Sequence, residues 1–154
     1  MSPKNTDRIE QKFVLRVPRG RVWRALTDAK EFSAWFGAKM EGPFRKGTTV
    51  KGTLTVEGYE GLPIEMDIDT IEPEHLFSWR WHPYAVDPEI DYSAEPKTLV
   101  VCRLEEVGPG TALTFVETGF DALPATRREE AYQMHEEGWT GQAKSIERYL
   151  SKAA

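Results

Sequence analysis

Glu117 is the side chain in this sequence that asks most of its surroundings. It follows Leu113 and Phe115 at strand spacing, so a regular strand turns its carboxylate inward with those two apolar groups. An unpartnered carboxylate in such a place costs several kcal/mol, by order of magnitude. Two arrangements answer that cost. Either an Arg, a Tyr hydroxyl or a ligand pairs with it, or the strand becomes irregular near Gly119 and leaves the group in water. Held inside a pocket, Glu117 or a cavity histidine has the chemistry of a general acid or base for a bound hydrophobic substrate.

The aromatic residues are the second source of chemistry. The chain has five Trp, five Tyr and seven Phe, and large rings suit both a solid core and a pocket for flat apolar ligands. Trp35, Trp79, Trp81, Phe115 and Trp139, with Glu117 as a polar end, form the candidate ligand-binding set. No catalytic residue is assigned. His75, His82 and His135 lack metal-ligand spacing and read as surface or loop histidines, so neither a metal nor another cofactor is expected. Glu65, Asp67 and Asp69 resemble a catalytic row, but strict alternation with Ile64, Met66 and Ile68 makes them the solvated face of a strand. Cys102, the only cysteine, shares parity with Val100 and Leu104 and reads as an inert buried thiol. It excludes an internal disulfide and fits a reducing compartment.

Charge narrows the partners. With 25 acidic against 20 basic residues and a net charge of −5, the chain is a poor phosphate-backbone binder. Arg16, Arg19, Arg21 and Arg24 read as a solvated helix face rather than a nucleic-acid patch, because no stacking aromatics are interleaved with them. No apolar run approaches the roughly 20 residues that span a bilayer. The first eight residues, Met1 to Arg8, contain no apolar leader segment, so no membrane insertion and a cytoplasmic location are expected.

The elements that must position these groups follow from period and punctuation. Residues 9–17 alternate as a half-buried strand. Pro18 suits a helix start, with Val22, Trp23 and Leu26 on one face. Asp28 with Glu31 has the form of a capping box for a second short helix that buries Phe32, Trp35 and Phe36 and stops at Gly37. A connecting stretch leads to strands over 50–56, 64–72 and the aromatic 76–82. Pro83 to Pro96 has no period and reads as a long, mobile loop near a pocket mouth. Strands over 99–107 and 112–120 form a hairpin across Gly108-Pro109-Gly110. A long helix over 127–151, opened by Thr126 and Glu129, carries Trp139, Ala143, Ile146 and Leu150 on one stripe. One α+β domain over 1–154 results, with a curved antiparallel sheet of about six strands wrapped around that last helix.

This order, with Val22-Trp-Arg-Ala-Leu-Thr-Asp28, Ala34-Trp-Phe-Gly37, Phe77-Ser-Trp-Arg-Trp81, Gly108-Pro-Gly-Thr-Ala-Leu-Thr-Phe115 and Glu137-Gly-Trp139, resembles the START-like or SRPBCC superfamily from about Arg8 to Leu150. Within it, the pattern is similar to bacterial single-domain proteins related to activators of heat-shock-protein ATPase. The resemblance implies a helix-grip fold with a cavity between the long last helix and the concave sheet, usually suited to a hydrophobic small molecule. The expected function is therefore non-enzymatic binding of a lipophilic or aromatic small molecule in an internal cavity. The alternatives are an enzyme acting on a bound hydrophobic substrate and a partner-binding module that modulates a chaperone ATPase. Eukaryotic activators carry an additional chaperone-engaging domain, and 154 residues leave no room for one, so a chaperone partner ranks behind a small molecule.

Overall fold

The computed structural model describes residues 7–152; the leader reading of the N-terminus falls mostly on residues outside them. The elements run β1 (Arg8–Leu15), α1 (Arg19–Thr27), α2 (Ala29–Phe36), β2 (Ala38–Met40), β3 (Thr49–Leu54), β4 (Pro63–Glu72), β5 (Leu76–Trp81), β6 (Thr98–Val107), β7 (Gly110–Thr118), a 3-10 turn (Phe120–Ala122) and α3 (Arg128–Lys152). The strands form one open antiparallel sheet in the order β1-β7-β6-β5-β4-β3-β2. With the helices over its apolar face, this is the α+β helix-grip arrangement.

The helix pair forms where local signals place it. Asp28 caps α2 by accepting from the N–H groups of Lys30 and Glu31, both at 3.0 Å. The second half of the capping box is used differently. The Glu31 carboxylate takes Arg21 and Arg24, each at 2.7 Å, and the Tyr149 hydroxyl at 2.8 Å, tying both short helices to α3. Gly37 ends α2 in the left-handed region with φ 89°. Trp23 is half-buried, and Ala25 takes the inner position beside Val22 and Leu26.

There are seven strands rather than about six. The extra one, β2, has three residues, too few for a period to show, and pairs Met40 with Gly52 of β3. Its close approach requires glycine, since a Cβ at Gly52 would lie 2.5 Å from the Lys39 carbonyl oxygen. The register of β4 against β5 slips between Ile68 and Thr70, which sets Asp69 at a bulge. There Asp69 meets Arg80 at 2.7 Å, and Asp67 meets Lys97 at 2.5 Å. The Arg80 guanidinium holds the Asp69 carboxyl below its ordinary range, as a solvated structural pair does.

The apolar face of the sheet presents Val100, Cys102 and Leu104 from β6, Leu113 and Phe115 from β7, and Phe77 and Trp79 from β5, all buried. Burial pushes the Cys102 thiol up and keeps it unreactive. Helix α3 lays Trp139, Ile146 and Leu150 into this core, while Ala143 is half-buried. It is fastened to α2 by Gln142 and Ser145, which donate to the carbonyls of Phe36 and Trp35. Ile146→Ala should therefore cost about 2–5 kcal/mol, whereas Lys144→Ala on the exposed face should stay within about 0.5 kcal/mol. Chemical denaturation compares them directly, and equal midpoints would contradict the packing of this stripe.

Candidate functional site

The site is built around Glu117, which a regular β7 does carry inward. It stands opposite Val100 on β6 and Ile9 on β1, and it is fully buried. Its protein partners are neither Arg nor Tyr. Oε2 accepts from Trp81 Nε1 at 2.9 Å and from Thr98 Oγ1 at 2.5 Å; these two residues are register partners on β5 and β6. Oε1 accepts from Trp139 Nε1 at 2.7 Å and pairs with His135 Nδ1 at 2.6 Å, both from α3. Burial pushes the Glu117 carboxyl up, but its pairing with His135 and the hydrogen bonds from Thr98 and Trp81 outweigh that and hold the group below the ordinary carboxylate range.

Around this carboxylate the rings pack into a continuous aromatic core. Phe115 lies 4.7 Å from Trp139 between ring centroids, Trp79 lies 5.4 Å from Trp81, and Trp35 stacks over Phe115 at 6.3 Å. The indole N–H of Trp79 is buried without a hydrogen-bond partner, among the rings of Phe32, Phe77, Trp81 and Trp139. Trp35, Trp79, Phe115 and Trp139 thus form the wall behind the site. Of the six expected ligand-binding residues, Trp81 lines open space.

That space is a pocket of about 460 Å³ between the end of α2, the β3–β4 turn and the 82–97 segment. Phe36, Leu54, Ile64 and Trp81 supply apolar lining, Tyr59, Tyr84 and Tyr92 add three phenol rings, and His82 and His135 line it as well, His135 from α3. The segment expected as a loop near a pocket mouth does lie there, and it is fastened. Arg127 donates to Glu95 at 2.7 Å and to the Pro83 carbonyl at 2.8 Å, with its guanidinium 4.8 Å from the Tyr92 ring centroid. His135 is the site residue that sequence reasoning passed over. Its spacing from Tyr132 and Trp139 places it on the buried stripe of α3, a signal visible in the helical period. Among the described residues, no group of three or more His, Cys, Asp or Glu is placed to hold a metal ion.

A family model described as "Activator of Hsp90 ATPase homolog 1-like protein" matches residues 16–151. The chain belongs to this family. The activator-homologue family lies in the SRPBCC superfamily, and solved structures repeat its fold. Protein NE0264 from Nitrosomonas europaea is 19% identical, with a TM-score of 0.76 over 98% of each chain. Protein MLL2253 from Mesorhizobium loti is 20% identical, with a TM-score of 0.75 over 96% of this chain and 98% of that one. DynU16, from the dynemicin biosynthetic locus, is 21% identical, with a TM-score of 0.73 over 96% of this chain and 48% of its own. No curated protein matches the sequence significantly. No helix among the described residues of this family member is long and apolar enough to cross a membrane.

Proposed function

We propose that the protein binds a lipophilic or aromatic small molecule, without transforming it, in the pocket beside Trp81. The observation that carries this reading is the pocket: about 460 Å³, lined mainly by apolar and aromatic groups, with three tyrosines and the two histidines His82 and His135 among them. Phe36 and Trp81, in tilted contact at 5.9 Å between centroids, both line the pocket, which suits an apolar or aromatic ligand. Trp35, Trp79, Phe115, Glu117 and Trp139 act behind it, fixing Trp81 and His135 through packing and hydrogen bonds. The origin of DynU16 in a biosynthetic locus agrees with small-molecule handling on this fold.

An enzymatic reading draws on one observation, that a buried carboxylate orients His135 beside the pocket as a general base requires. In the resting structure, however, the other ring nitrogen is occupied by the Tyr84 N–H at 3.0 Å, which favours binding over turnover. The family description names an ATPase activator. For this chain, the feature with shape and chemistry for recognition is the pocket, so a chaperone partner remains the lesser reading.

The test is a thermal-shift screen with flavonoid, sterol and fatty-acid sets. At a ligand concentration about 100 times Kd, binding to the folded state adds about 2.7 kcal/mol. For a chain of this size that is a rise in Tm of about 5–10 °C. Ile64→Trp, which fills the pocket from its half-buried wall, should abolish the rise. No rise with any set, or an undiminished rise in the Ile64 variant, would defeat binding at this pocket.

A further inference from the structure

Tyr84 is one of two non-glycine residues among the described ones with positive φ, here 49°. That conformation is disfavoured for a residue with a side chain, so neighbouring bonds must hold it. Its N–H donates to His135 Nε2 at 3.0 Å, and Arg127 Nη1 holds the preceding carbonyl of Pro83 at 2.8 Å. These bonds draw the 82–97 segment over the pocket.

The partners decide which tautomer His135 adopts. The Glu117 carboxylate already takes three donors and can only accept, so Nδ1 donates to it. The Tyr84 N–H can only donate, so Nε2 presents a lone pair. The resting ring is therefore neutral, with its proton on Nδ1. A second proton has one place to go, and there it would confront the Tyr84 N–H.

We propose that protonation of His135 at Nε2 releases Tyr84 and opens the 82–97 segment, so that a proton controls access to the pocket. The proposal rests on the ligand-binding reading for its purpose, but not for its mechanics. Glu117 on β7 faces Nδ1 at 2.6 Å. On the segment, His82 is bonded to the Glu95 carbonyl and the Glu95 carboxylate is paired with Arg127. Burial, then Tyr59 and Glu130 beside it, push the Tyr84 hydroxyl up to about 12, so it stays a neutral contact. Glu136, next to His135 on α3, is exposed. The rings of Trp81 and Phe120 flank His135 at 5.7 and 5.8 Å and carry no charge. A proton at Nε2 and the Tyr84 bond exclude each other at that one atom.

The experiment is ligand-free nitrogen-resolved NMR of the protein from pH 8 to 5, with amide exchange measured on the same sample. At pH 8 the ring should be the neutral form protonated on Nδ1. As it titrates, exchange at Tyr84 and along the segment, corrected for its intrinsic pH dependence, should rise at least tenfold while Leu113 to Val116 stay unchanged. His135→Gln should flatten the step. Because that change removes a donor from Glu117, Arg127→Gln is the second variant: it should raise exchange at every pH and keep the step. A ring protonated on Nε2 at pH 8, or no exchange step by pH 5, would overturn the latch. These readouts contain no ligand, so failure of every compound set to bind would count against the binding reading alone.

Discussion

Glu117→Gln is expected to destabilise the protein by about 3 kcal/mol, although it changes one atom and almost no volume. Each carboxylate oxygen receives two donors, His135 and Trp139 on one side and Thr98 and Trp81 on the other. A glutamine must turn its NH₂ group toward one of these pairs. Turned toward Thr98 and Trp81, it can be accepted by the threonine hydroxyl, but the indole N–H of Trp81 is stranded in a dry core. Turned the other way, it strands Trp139. Denaturant unfolding should show a lower midpoint with an unchanged slope, and a loss below about 1 kcal/mol would mean that the donors find other partners. The pH dependence carries the same signature. The folded protein holds Glu117 below its ordinary range, so the unfolded chain binds the proton first as pH falls. The stabilisation is fully present above the ordinary carboxylate range and is lost as pH drops through the lowered folded value. The Gln variant should lack this component of acid unfolding.

Phe32→Ala is expected to cost about 3–5 kcal/mol, the range for a fully buried ring removed from a core that collapses only in part. Phe32 touches four other rings: Phe36 at 4.7 Å, Trp35 at 5.2 Å, Phe44 at 5.3 Å and Trp79 at 5.8 Å. It joins α2 to β5 and to the connection after β2, so the cavity would open on three sides. The fall in Tm should be roughly 10 °C, against almost none for Val107→Ala on the exposed hairpin end. Phe36 stacks on Phe32 and lines the pocket, so any ligand found in the thermal screen should bind the variant more weakly. Near-wild-type stability would mean that the helix pair is not anchored through this ring.

Local signals carried most of the architecture. The capped helix pair, the strand alternation, the Gly108 turn with φ 58° and the stripe of α3 each depend on residues within a few positions of one another, and each formed where its pattern lay. Hydrophobic parity also pointed Glu117 inward on β7, although an irregular strand end near Gly119 that would leave it in water stayed open in the sequence, and the structure decides for the inward position. Its partners lay beyond that reach. Thr98, His135, Trp139 and Trp81 stand 19, 18, 22 and 36 residues away, and they converge because strand register and the rotation of α3 place them on one carboxylate. The three-residue β2, the slip at Asp69 and the pocket's position at the mouth of the grip rather than within the ring cluster depend likewise on how whole elements meet. A side-chain pattern records which face is apolar, because that is set by the period of its own element. Which polar atoms meet across faces is settled only when packing fixes distance and angle between elements far apart in the chain.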